Sequence, residues 1–217
     1  YAGPRDLALP SDSKSLPELV DDMAFNDPYA SKVWAFNDAS KNGVSVNLAY
    51  SQLPNRAAKS VVVAVVDTGV DYSHEDLKDM MWVNKNEIPG NAIDDDNNGY
   101  VDDVYGIDTI DRDANGAATG DPTPDHPHGT HVSGTIAAEQ NNGIGIAGIA
   151  AHAEIMAIRT VPSDGDETDK NVVESYLYAA KMGAKLINCS FGKAVNEGGM
   201  VVSETIKYID RKSTRLN

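Results

Sequence analysis

Val61-Val62-Val63-Ala64-Val65-Val66-Asp67-Thr68-Gly69-Val70-Asp71 is an apolar run that stops abruptly at a carboxylate. Its β-branched residues come without polar alternation, the pattern of a strand covered on both faces and therefore of a parallel sheet. Open α/β sheets place ligands beyond the carboxyl ends of their strands, so Asp67 stands where a reacting group belongs. An aspartate that merely caps the following turn would look the same locally, and this run alone leaves the two readings even.

A second stretch tips the balance. Asp125-His126-Pro127-His128-Gly129-Thr130-His131-Val132-Ser133-Gly134-Thr135 reads as a loop entering a helix whose small residues let a neighbour pack closely. An imidazole at such a start lies at the edge of the fold, and histidine is the side chain whose ordinary pKa falls near neutrality. A structural histidine near a helix end is the bland alternative for any isolated case. Here an apolar strand ending in Asp67 precedes it by 61 residues, so only the fold can bring the two together.

Asp67-Thr68-Gly69 after an apolar strand, then His128-Gly129-Thr130-His131-Val132-x-Gly134-Thr135, resemble the first and second catalytic blocks of the subtilisin-like serine proteases. Asn141-Asn142-Gly143-Ile144-Gly145 through Ala150, and Leu186-Ile187-Asn188-Cys189-Ser190-Phe191-Gly192, extend the resemblance over residues 58 to 209. It implies a three-layer α/β sandwich with a mainly parallel sheet, incomplete over this length, and a serine endopeptidase activity on polypeptide substrates. Asp67 would fix the tautomer of His128 and stabilise the imidazolium, while His128 moves a proton from a hydroxyl nucleophile to the leaving amine. His131 is then a structural neighbour. By the same resemblance, Ser190, Phe191 and Gly192 form the strand that pairs with an extended substrate backbone.

The family's nucleophile sits in Gly-Thr-Ser-Met-Ala, and this sequence has no such segment. After His128 the serines are Ser133, Ser163, Ser175, Ser190, Ser203 and Ser213, none in that context; the oxyanion asparagine is missing too. The chain as given is therefore expected to be inactive. A nucleophile-free pseudo-protease binding peptide or calcium is the alternative. His128-x-x-His131 also raises a zinc hydrolase, but a catalytic zinc takes three protein ligands and Gly129 stands where a metalloprotease has its glutamate.

Between the two blocks lies Asp94-Asp95-Asp96-Asn97-Asn98-Gly99-Tyr100-Val101-Asp102-Asp103, with five aspartates in ten residues. Asp94, Asp96, Asn98 and Gly99 follow the opening of a calcium loop, with a Tyr100 carbonyl and the Asp102 carboxylate as further oxygens. Tyr105 rather than glutamate at the twelfth position rules out a complete EF-hand loop. Crowded like charges repel unless neutralised, which favours a structural calcium ion over a solvated turn.

Elsewhere the pattern predicts a segment around Asp27–Trp34 packing on the core, a short helix or strand over 44–53, a turn or short helix at 74–77, a short strand at 80–83 and a polar surface loop over 109–124. A second buried strand is expected at 155–161 and a third at 186–190. Helices are expected at 171–182, with an apolar stripe of Val172, Val173, Tyr176, Leu177 and Ala180 and a Gly183 cap, and at 201–209. Strands alternating with helices give the same α/β class independently of the resemblance.

The 217 residues carry a net charge of −15, which argues against nucleic acid, and no apolar run of membrane-spanning length. The single cysteine, Cys189, excludes an intrachain disulfide and reads as a small buried residue between Ile187 and Phe191. Residues 1–57 read as an N-terminal arm or prodomain remnant and 58–209 as the N-terminal part of a catalytic domain. Asp210-Arg211-Lys212-Ser213-Thr214-Arg215-Leu216-Asn217 resembles the translation of a common sequencing adapter rather than a basic helix end. The start at Tyr1 points to a removed or missing leader, and the resemblance implies export to the periplasm, cell surface or medium. A sheet lacking later strands is expected to expose apolar edges and to be poorly soluble.

Overall fold

A computed structural model describes residues 25–37, 42–52, 59–193 and 199–213. The proline-bearing arm before residue 25, the helix end at Leu53 and Pro54, and the last four residues lie outside it. The apolar run forms β1 (Val61–Asp67), whose last five residues are buried. Beside it lie β4 (Ala153–Arg159), in parallel register from Val61↔Ala153 to Asp67↔Arg159, and β5 (Leu186–Cys189), parallel from Val63↔Leu186. With β2 (Gly106–Arg112) and β3 (Ala118–Thr119) the sheet has the order β3-β2-β4-β1-β5, antiparallel only between β2 and β3.

The period of two along β1 and β4 sends alternate residues to opposite layers. Val63, Val65, Ile155 and Ala157 pack with Val70, Leu77 and Ala137, the last on α2 (His128–Ala137). Ala64, Val66, Met156 and Ile158 pack with Val172, Tyr176, Tyr178 and Ala179 of α3 (Asp169–Lys181), with Val202 and Ile209 of α4 (Val201–Ser213) against them. The three-layer sandwich is thus present over this part of the chain. A satellite cluster joins Phe25, Ala30, Ala35 and Phe36 to α1 (Val46–Gln52) and to Ala147 and Ile149, so the segment around Asp27–Trp34 does pack on the body.

Four local expectations need correction. Residues 109–124 are no simple surface loop: Thr109 is fully buried inside β2, and residues 118–119 form β3. The polar side chains of β2 hid it, because their burial is compensated by an arginine on the neighbouring strand. The anticipated strand at 80–83 contributes one isolated bridge, Met81↔Ile155, and its first residue, Met80, ends a 3-10 turn (Lys78–Met80). On α3, capped by Thr168 and closed by Gly183 at φ 91°, Leu177 and Ala180 face solvent while Ser175, Tyr178 and Ala179 are buried. The buried stripe lies one position round from the one the apolar residues suggested. Cys189 is exposed, because β5 is an edge strand, and its Sγ lies 3.1 Å from the Tyr176 hydroxyl.

Candidate active site

Asp67 ends β1 at 1% exposure, and His128 opens α2 directly above it. The imidazole Nδ1 is 2.7 Å from Asp67 Oδ1, which also accepts the Thr68 backbone N–H at 2.8 Å. With Nδ1 engaged, the tautomer is fixed and Nε2 is left to act as a base on the exposed side of the ring, whose side chain is 45% accessible. Among the described residues Asp67 is the imidazole's hydrogen-bonding partner, and no serine hydroxyl joins it. Ser133 is fully buried under α2 and Ser175 is bonded to Thr160, so neither offers a nucleophile to this ring.

The approach of α2 to β1 depends on small residues. A Cβ on Gly129 would collide with the Gly69 carbonyl and press on the Asp67 side chain. Thr68 stitches the two segments: its hydroxyl donates to the His126 carbonyl and accepts the Gly129 N–H, both at 3.0 Å. The Asp71 N–H donates to Thr130 Oγ1 at 2.9 Å. Asp67 and His128 therefore meet because a strand end and a helix start are joined by several hydrogen bonds besides their own. His131 lies one turn along α2 and is exposed.

Ser190, Phe191 and Gly192 follow β5 at the outer edge of the sheet, where no described strand covers them. Ser190 Oγ accepts from the Asn188 amide at 2.9 Å, and Phe191 is half-buried against the α3 side of the core.

In the acidic loop the structure regroups the carboxylates. Asp94 accepts the N–H groups of Asn98 and Gly99, and Asp102 those of Gly90, Asn91 and Ala92. Tyr100 packs edge-on against Tyr178, its hydroxyl pKa pushed up to about 12 by burial and then by Glu174. What converges is Asp96 with Glu87 and Asp103, each offering an oxygen within 4.8 Å of the others. Asp103 is fully buried, takes hydrogen bonds from Asn84, Asn98 and Tyr178, and has its carboxyl pushed up to about 6 by desolvation. Three converging carboxylates with uncompensated charge are the donor chemistry of a hard divalent cation. Of the residues expected to bind metal, Asp96 belongs to this group, while Asp94, Asn98, Tyr100 and Asp102 shape the loop around it. Glu87 lies too far ahead of the aspartate run for the loop pattern to reach it. Asp103 was masked by its neighbour Asp102.

A buried carboxylate fixing the tautomer of a histidine at the open end of a parallel sheet is an arrangement able to transfer a proton. Comparison with known proteins gives the family. The subtilase model, peptidase S8, matches residues 58–216, and the chain belongs to that family. It is 34% identical over 188 residues to subtilisin-like protease 1 of Plasmodium berghei, covering 86% of this chain and 29% of that protein. To the thermophilic serine proteinase of Bacillus sp. strain AK1 it is 38% identical over 130 residues, 60% of this chain and 25% of that one. The chain thus spans under a third of the length of these relatives. In fold it is similar to a protease from Pseudoalteromonas arctica, with TM-score 0.65 and 22% identity, covering 86% of this chain and 56% of that one.

Proposed function

We propose that this chain supplies the acid–base half of a subtilisin-like serine endopeptidase, with Asp67 the orienting carboxylate and His128 the general base. The observation that carries the reading is the 2.7 Å contact between a buried Asp67 and the exposed imidazole of His128. The relatives' printed names, a protease and a serine proteinase, support the same reaction class.

In the reaction, His128 Nε2 takes the proton of a serine hydroxyl as that oxygen attacks the peptide carbonyl. It then returns the proton to the departing amine, leaving an acyl-enzyme for water to hydrolyse. Asp67 stays ionised and stabilises the imidazolium between the two transfers. The serine belongs to a segment outside these 217 residues, so the chain by itself is inactive. Substrate lies extended along Ser190–Gly192, pairing its backbone with that of this segment. Glu87, Asp96 and Asp103 hold a calcium ion that offsets the loop's charge and takes no part in the chemistry. Family membership supports export from the cell. No described helix is long and apolar enough to cross a membrane.

Continuing the source reading frame beyond Ile209 and assaying the longer polypeptide on a peptide substrate tests this. Hydrolysis that disappears on treatment with a serine-directed sulfonyl fluoride is expected. A natural stop codon at that point would transfer the lead to a non-hydrolytic peptide-binding protein.

A further inference from the structure

Arg159 closes β4 in register with Asp67 on one side and Asp108 on the other. Register partners in parallel strands project to the same face, so a guanidinium stands between two carboxylates at the carboxyl end of the sheet. Its ion pairs are with carboxylates other than Asp67. One terminal nitrogen donates to Asp108 at 2.5 Å and Asp111 at 2.7 Å, the other to Asp125 at 2.6 Å, and the buried Nε is left unpartnered. Thr109 Oγ1 fastens the Arg159 carbonyl at 3.1 Å. Partial burial raises the Asp125 carboxyl, and its bonds to Arg159 and then to Ser163 more than reverse this, leaving it below the usual range.

Asp125 lies only three residues ahead of His128, and the intervening Pro127 has a fixed φ, so little slack separates the clamp from the imidazole. Other ties on this loop are the Thr68 bond to the His126 carbonyl, the Val70 N–H to the Pro122 carbonyl, and hydrogen bonds from Ser163 to Asp125. None of these brings a second cation to Asp125. We propose that Arg159 is a positioning residue for the Asp67–His128 pair: it clamps Asp125 to the ends of β2 and β4, and its aspartate partners keep it from competing with His128 for Asp67. An Arg–carboxylate pair is stronger than an imidazole hydrogen bond, so a guanidinium freed from its partners would take Asp67.

The inference rests on the catalytic reading of Asp67 and His128, but its test reads their geometry rather than turnover. In the full 217-residue chain labelled at histidine nitrogen, the bonded Nδ1 proton of His128 gives a downfield resonance by NMR. His126, whose ring centroid is 6.4 Å away, is assigned separately. Asp125→Asn and Asp111→Asn each remove one charge from the same guanidinium, yet only Asp125 leads to His128. The expected result is that Asp125→Asn broadens or loses the resonance. Asp111→Asn and Asp125→Glu keep it near wild type. Equal behaviour of Asp125→Asn and Asp111→Asn, disturbed or undisturbed, overturns the clamp. Absence of the resonance in the wild-type chain would instead remove the Asp67–His128 pair itself, so the two failures are distinguishable.

Discussion

Two acidic regions of this molecule handle their charge in opposite ways. At the carboxyl end of the sheet, Asp108, Asp111 and Asp125 surround Arg159, and Asp67 holds His128. In the loop over residues 84–103, no described lysine or arginine forms an ion pair with a carboxylate. There the aspartates are met by backbone N–H groups, asparagine amides and a tyrosine. At the sheet end each of these carboxylates meets a basic side chain of the chain itself, Arg159 or His128. Backbone N–H groups supply only partial charges, so Glu87, Asp96 and Asp103 retain a surplus that an ion can answer.

The sharpest way to break this contrast is to mutate one member of each region in the extended polypeptide that carries the serine. His128→Ala is expected to lower kcat/KM by several orders of magnitude, whereas Glu87→Gln leaves kcat within about a few-fold because it acts through folding alone. Equal losses in kcat would mean that the loop takes part in the chemistry.

Calcium gives the next largest effect. At a hundred times its dissociation constant it should stabilise the chain by about 2.7 kcal/mol, read as a raised denaturation midpoint. Asp96→Asn should remove most of that gain and Asp111→Asn none. A gain that survives Asp96→Asn would place the ion elsewhere.

Tyr178→Phe deletes the donor that holds buried Asp103 at 2.6 Å, and a hydrogen bond to a charged group is worth about 1.5–3 kcal/mol. Chemical denaturation in chelator should show a loss of that order. A neutral effect would mean that Asp103 is protonated and needs no such donor.

The smallest effect concerns alkaline pH. Burial raises the hydroxyls of Tyr100, Tyr176 and Tyr178 above their ordinary value of 10.0. The unfolded chain therefore loses these protons first, and the stability they contribute is full below pH 10 and declines above it. At pH 10 the three together should cost about 1 kcal/mol relative to pH 8. A midpoint unchanged between those values would contradict the burial of these phenols.

How much of this was legible depended on whether a residue's neighbours lie in sequence or across the sheet. Strands β1 and β4 are covered on both faces, so their apolar runs announced them, and the blocks at Asp67 and His128 carried their chemistry locally. Strand β2 was invisible because Asp108 and Thr109 look like loop residues. The backbone N–H groups of Ile110 and Asp111, together with a guanidinium fifty-one positions away, make the burial of Asp108 tolerable. The same reason hid Glu87, which reaches the backbone of Asp95, Asp96 and Asp102. An alternating-oxygen pattern could point to Asp96 but not to the parity that turns Asp103 inward and Asp102 toward residues 90–92.

The most direct test of the central claim is the rate of peptide hydrolysis by the polypeptide extended past Ile209, measured with Asp67 and His128 intact and with His128→Ala. Turnover that is abolished by the substitution, and is absent from the 217-residue chain alone, is the predicted result. Turnover that survives the loss of His128 would show that this histidine is not the base.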